Sequence, residues 1–157
     1  MLTRIPIDPN YATALGKAVY AFAYYEWAII YLIEHIEVGF VAMYSRGKPM
    51  TSGGVKKAFD KAIENPLAVF SVLSKCEMEK CRDTFAGLVE IRNALIHAHP
   101  GTDSNGSQIL FYQASLLKTF SDVKWPEQVV TEALKKFDEA AVEAGMLLDR
   151  VRKSADA

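Results

Sequence analysis

Two cysteines, three histidines and no long apolar run are what this 157-residue chain offers least of, and each scarcity excludes a class of protein. Cys76 and Cys81 stand five positions apart, about 140° around a helix, so they neither pair nor chelate one ion there. That excludes a disulfide framework, and both are expected to be buried reduced thiols. Of the histidines, His35 reads as a surface or interface residue. His97 and His99 lack a further histidine or acid at metal spacing, so no metal site is expected. The greasiest run, "AIIYLI", is bounded by Glu26 and Glu34 and falls short of the ~18 apolar residues of a membrane span. Nor does charge of one sign dominate. Eighteen Lys and Arg against nineteen Asp and Glu leave a net charge of -1, which argues against a dedicated duplex-DNA binder. The start, "MLTRIPIDPNYATALG", has no secretory pattern, and a cytoplasmic location is the default expectation. Repeats and low-complexity segments are absent.

What remains is ordinary for one folded domain spanning 1–157: half the residues are hydrophobic and 24% are charged. The organising pattern is helical. From Ala12 to about Tyr44, Leu15, Ala18, Phe22, Tyr25, Ile29, Leu32 and Ile36 recur at spacings of three and four, predicting one long unbroken helix. Tyr24, Tyr25 and Trp27 are read as core or subunit-interface aromatics. "SRGKPMTSGG" is a loop by composition, and Val55, Phe59 and Ile63 mark a short helix after it. "NPL" predicts another, with Asn65 as N-cap, Pro66 in the first turn, and Leu67, Phe70 and Leu73 inward. Ser74 and Glu77 have capping-box spacing and open a helix with the seam Met78, Cys81, Phe85, Leu88 and Leu95.

Beyond Pro100 the texture changes. "GTDSNGSQ" is turn-rich, and "ILFYQ" forms a short strand or lies extended near 108–113. Pro126 introduces a last helix carrying Val130, Leu134, Phe137, Ala141, Ala144, Leu148 and Val151 on one stripe. The fold class expected is an all-α up-down bundle of four to five helices.

One stretch is not explained by packing: "EIRNALIHAHP", residues 90 to 100. Asn93 and His97 are one helical turn apart, so Asn93 is placed to hydrogen-bond and orient His97, with Glu90 a turn further back. Arg92 leaves the backbone about 140° from His97, on the seam of Leu88 and Leu95. A guanidinium there is costly without a partner, so the seam is expected to face a cleft or another subunit. Arginine and histidine near a helix C-terminus are also what the helix dipole alone favours, with no function implied.

Arg-x4-His with Asn after the Arg, near the C-terminus of a penultimate bundle helix, resembles the signature of HEPN domains. These are small all-α domains, many of them metal-independent endoribonucleases of toxin–antitoxin, phage-defence and CRISPR-linked systems. The bundle plan matches from about residue 10 to 152, but the specific part is the six residues Arg92 to His97. The resemblance implies Arg92, Asn93 and His97 as catalytic residues and a homodimer whose two motifs form one composite cleft. It also implies RNA as substrate, no cofactor, and an antitoxin protein as partner.

Cleavage without a metal uses the RNA 2′-hydroxyl as nucleophile. A histidine, with its ordinary pKa near ~6.5, can take that proton at neutral pH. An arginine fork can hold the phosphate and stabilise its charge. Single-stranded or looped RNA is the expected substrate, because base and 2′-OH must be splayed into the cleft. His99 and Glu90 are auxiliary candidates. His99 stands where members paired with nucleotidyltransferase-type antitoxins carry Tyr, which argues against that pairing. It is open as a second acid or base, a phosphate contact or a dipole-favoured residue. Arg46, Lys48, Lys56 and Lys57 lie in a segment with five cations against one acid, and are candidates for RNA-backbone contacts. The alternative is a non-catalytic HEPN-like dimeric interaction or nucleotide-binding module. A helical bundle of unrelated function ranks third.

Overall fold

The computed structural model describes residues 6–47, 50–113 and 122–155. Helix α1 (Pro9–Ile36) starts where Asp8 accepts hydrogen bonds from the backbone N–H groups of Asn10 and Tyr11 at 2.9 and 3.0 Å. Pro9, lacking an N–H, occupies the first turn at no cost. Ala18, Phe22, Tyr25, Ile29 and Leu32 are buried along one face, as their spacing predicts.

The unbroken helix to Tyr44 is corrected. α1 ends at Ile36, and a separate α2 (Phe40–Arg46) begins after Gly39, whose φ of 95° lies in the left-handed region. The Glu34 carboxylate turns back to accept from Gly39 N and Val41 N at 2.8 and 2.7 Å, satisfying donors at the start of α2. Those bonds hold its carboxyl below the usual range. The apolar period survives the break, which is why periodicity alone missed it.

Helix α3 (Ser52–Glu64) is capped by the Thr51 hydroxyl, which accepts from Gly54 N at 3.2 Å. No helix follows Asn65. Its side-chain oxygen accepts from Leu67 N at 2.9 Å and its carbonyl accepts from Ala68 N at 2.9 Å, closing a turn rather than opening a helix. Of the three apolar residues expected inside, only Leu73 is buried, while Leu67 is 84% exposed. Helix α4 (Lys75–Ile96) then begins with a complete capping box: Ser74 Oγ accepts from Glu77 N, and Glu77 Oε2 accepts from Ser74 N at 2.8 Å. Met78, Phe85, Leu88 and Leu95 are buried on its seam, but Cys76 is exposed and Cys81 only partly buried, against the expectation of two buried thiols.

After α4 the chain forms a three-stranded antiparallel sheet in the order β1 (His99–Thr102), β2 (Gln108–Tyr112), β3 (Val123–Trp125). The extended segment near 108–113 is therefore a strand. The Pro100-Gly101 stretch, expected as loop, is its edge partner, with His99 opposite Phe111 and Gly101 opposite Ile109. Proline is tolerated at an edge because no neighbour needs its missing N–H. Gly101 lets the Phe111 ring lie close, since a Cβ there would stand 2.8 Å from two ring carbons. Helix α5 (Glu127–Ala155) follows Pro126 directly.

Contacts fix how the three long helices run. Tyr11 meets Trp125 beside the start of α5, Phe22 meets Phe137, and Tyr25 lines a groove with Ala144 and Leu147, so α1 and α5 are parallel. The start of α4 meets the end of α5 through Glu77 and Arg150, so α4 runs the other way. Phe22, Tyr25, Phe85 and Phe137 interlock at centroid distances of 5.1 to 6.2 Å where the three helices meet. The sheet sits at the end of the bundle where α4 finishes and α5 starts.

Candidate functional site at the end of α4

The last two turns of α4 alternate between core and opening. Ala94 and Leu95 are buried, Arg92 and Asn93 half-buried, Ile96 and His97 exposed. Arg92 falls between Leu88 and Leu95 on the buried seam, and α4 lies against α1 there. Its guanidinium carbon stands 5.8 Å from the centroid of the Phe22 ring, within cation–π range. Arg92 Nη1 donates to Asn93 Oδ1 at 3.1 Å. The seam borders a gap between the helices here. It is a small cavity of about 70 Å³ whose walls include Phe22, Ala23 and Glu26 of α1, Leu95 of α4 and Phe137 of α5.

Asn93 does not orient His97. Its side-chain oxygen is taken by Arg92, and its link to His97 runs through the backbone, His97 N donating to Asn93 O at 3.0 Å. His97 is the C-cap of α4, with φ -93° and ψ 5°. Among the described residues its imidazole makes no hydrogen bond. His99 is the first residue of β1, exposed, with its ring centroid 6.4 Å from that of Phe111. Glu90 is exposed and forms no ion pair among the described residues. The fold therefore couples Arg92 to Asn93, sets His97 at the open end one turn on, and leaves Glu90 outside.

Of the basic candidates, Arg46 ends α2, while Lys56 and Lys57 lie on α3. Lys57 lines an open groove with Glu37, Asp60 and Glu64, and no residue of the α4 motif belongs to that groove. Lys48 lies outside the described residues. Among those described, no three His, Cys, Asp or Glu side chains gather closely enough to hold a metal ion, and no helix is long and apolar enough to cross a membrane.

Sequence reasoning passed over Glu26. It follows Phe22 by four positions and precedes Ile29, Ile30 and Ile33 by three, four and seven, all of them buried. An acid on so apolar a line is a signal legible in the sequence. Of the aromatics expected in the core or at a subunit interface, Tyr25 is buried, whereas Tyr24 and Trp27 stand on the outer face of α1. Tyr20, Tyr24, Trp27 and Tyr31 recur at spacings of four, three and four, and they are 74%, 62%, 43% and 45% exposed. Val19 and Ile96, also exposed, carry this apolar surface toward the end of α4. No family model, curated protein or solved structure matches the chain.

Proposed function

We propose that the chain is a HEPN-type, metal-independent endoribonuclease that cleaves single-stranded or looped RNA by 2′-hydroxyl attack, as a toxin or phage-defence component. The observation that carries this reading is an arginine held by Asn93 and Phe22 on the same helix end as an exposed histidine, about a turn and a half apart, whose imidazole forms no hydrogen bond among the described residues. Arg92 keeps donors beyond the one given to Asn93, and these suit a phosphate. His97 takes the 2′-hydroxyl proton, the 2′-oxygen bonds to phosphorus to form the 2′,3′-cyclic phosphate, and the P–O5′ bond breaks as the 5′-oxygen takes a proton from water to leave as a hydroxyl.

The reading includes a homodimer, and the aromatic face of α1 supports it. Four rings about half exposed present roughly 450 Å², taking about 200 Å² per aromatic side chain. That is more than half of the ~800 Å² each partner contributes to a standard interface. A two-fold contact with the α1 helices antiparallel keeps the α4 flank of both protomers on one side, so both motifs open into one groove. Arg92 stands over Phe22, within the length of α1 that carries the four rings.

One observation favours the alternative, a non-catalytic dimeric interaction or nucleotide-binding module. Asn93 holds Arg92 rather than His97, which leaves the histidine without an orienting partner. Incubating purified protein with single-stranded RNA in EDTA separates the two. Cleavage to 2′,3′-cyclic phosphate and 5′-hydroxyl ends supports the nuclease, and intact RNA across pH 6 to 8 supports the binding module.

A further inference from the structure

The cavity beneath Arg92 holds an imbalance. Glu26 Oε1 is buried and forms no hydrogen bond among the described residues. Leaving a carboxylate oxygen unpaired in an apolar setting is costly, because water's hydrogen bonds are lost and not replaced. Glu26 and Arg92 line the same cavity, and its other walls are Ala18, Val19, Phe22, Ala23, Leu95, Ile96 and Phe137, none of them charged. The cavity is small, about 70 Å³, and Glu26 and Arg92 are the two charged side chains that border it. The Tyr44 hydroxyl on α2 also lies near this acid: burial raises its pKa, and the negative charge of Glu26 adds to the rise.

We propose that Glu26 is the counter-ion and positioning residue of Arg92, pairing with it across the cavity between α1 and α4. Asn93 then grips one side of the guanidinium and Glu26 another, with Phe22 against its face. A planar fork held on two edges keeps its remaining N–H groups in a fixed direction, which a phosphate contact requires. The pair joins α1 to the end of α4, so it also holds the motif arginine against the helix that carries the aromatic face. Its catalytic consequence rests on the nuclease reading, whereas the pair itself does not.

The test is a double-mutant cycle in urea unfolding with Glu26→Gln, Arg92→Gln and the double variant. The expected result is a coupling of about 3- to 10-fold in the unfolding constant. Additive effects overturn the proposal, and so does coupling of Glu26 to Tyr44, measured with Tyr44→Phe, in place of Arg92. A second measurement uses wild-type protein: the Arg92 Nε–H resonance, assigned by its loss in Arg92→Gln, should exchange with solvent more slowly than that of Arg46. Equal exchange rates count against the pair. If wild type cleaves RNA, Glu26→Gln should lower kcat or raise KM while the dependence on His97 persists. Wild-type protein that leaves RNA intact yet shows the coupling defeats the nuclease reading and leaves the ion pair standing.

Discussion

The Tyr11 hydroxyl donates to the carbonyl of Trp125 at 2.6 Å and accepts from Leu110 N at 3.0 Å, so one side chain from α1 ties together two neighbouring strands. Burial raises its pKa, with the Leu110 N–H partly offsetting the rise, as expected of a neutral phenol kept from water. Tyr11→Phe preserves the ring and leaves a strand N–H and a carbonyl short of a partner. It should cost about 1–3 kcal/mol. For a chain of this size that is a fall in Tm of roughly 2–4 °C per kcal/mol. Hydrogen exchange should quicken at Leu110 well before it does in α5, and an unchanged Leu110 rate refutes the tie.

How far the sequence disclosed this arrangement depends on whether the forces were local. The capping box of Ser74 and Glu77 is a four-residue interaction, and it forms as its spacing implies. The seam of α4 and the stripe of α5 were legible for the same reason. Strand β1 was not, because "HPGT" has little β-propensity and is extended only by pairing with Gln108–Phe111, a non-local partner. Asn65-Pro66 misled, since an asparagine that can cap a helix can equally close a turn on itself. At the site, the spacing of Arg92, Asn93 and His97 was readable, but the hydrogen-bond choice of Asn93 was not. Glu26 was marked by the apolar line it sits on, but the cavity it shares with Arg92 exists only once α1 and α4 pack together.

The two thiols should differ sharply in reactivity. Cys76 is exposed at the start of α4, whereas burial, helped by the charge of Glu143, pushes Cys81 up to about 12. Only the thiolate attacks, so a raised pKa slows alkylation at neutral pH. Labelling native protein with a maleimide at pH 7 should give one rapid adduct, abolished by Cys76→Ser, and a second only on unfolding. Rapid double labelling refutes the burial of Cys81.

Acid should weaken the junction between α4 and α5. Hydrogen bonds from Arg150 and then from Ser74 hold the Glu77 carboxyl at about 2. A carboxyl lowered in the folded state contributes stability that is fully present above its unfolded pKa near ~4.3 and is lost as pH falls toward the folded value. Between about pH 4.3 and 2 the urea midpoint of wild type should therefore fall more steeply than that of Glu77→Gln. Parallel slopes would show that the pair is screened by solvent.

The aromatic face of α1 gives the dimer a separate test. Trp27→Glu and Tyr24→Glu place a charge in the middle of an apolar contact, while both positions are exposed in one protomer and tolerate it there. Sedimentation at micromolar concentration should show wild type as a dimer and each variant as a folded monomer with unchanged helical circular dichroism. Wild type that sediments as a monomer removes this interface, and with it the composite cleft.

The reaction itself tests the proposed function most directly. Without the His97 imidazole no side chain of the motif can take the 2′-hydroxyl proton, and His97→Ala should cost on the order of 10²- to 10⁴-fold in rate. Arg92→Ala should be comparably damaging, because charge on the transferring phosphoryl group loses its partner. Since Asn93 grips Arg92 rather than His97, Asn93→Ala should act through the arginine. Its loss should be smaller than that of Arg92→Ala and should vanish in the Arg92→Ala background, a non-additivity that an Asn93 acting on His97 would not produce. Cys76→Ala, exposed at the far end of α4, should leave the rate unchanged. A DNA strand of the same sequence should remain intact, because it lacks the attacking hydroxyl. Activity that survives His97→Ala in a folded dimer, or a DNA strand cut as fast as RNA, excludes 2′-hydroxyl chemistry at this site and gives the lead to the binding module.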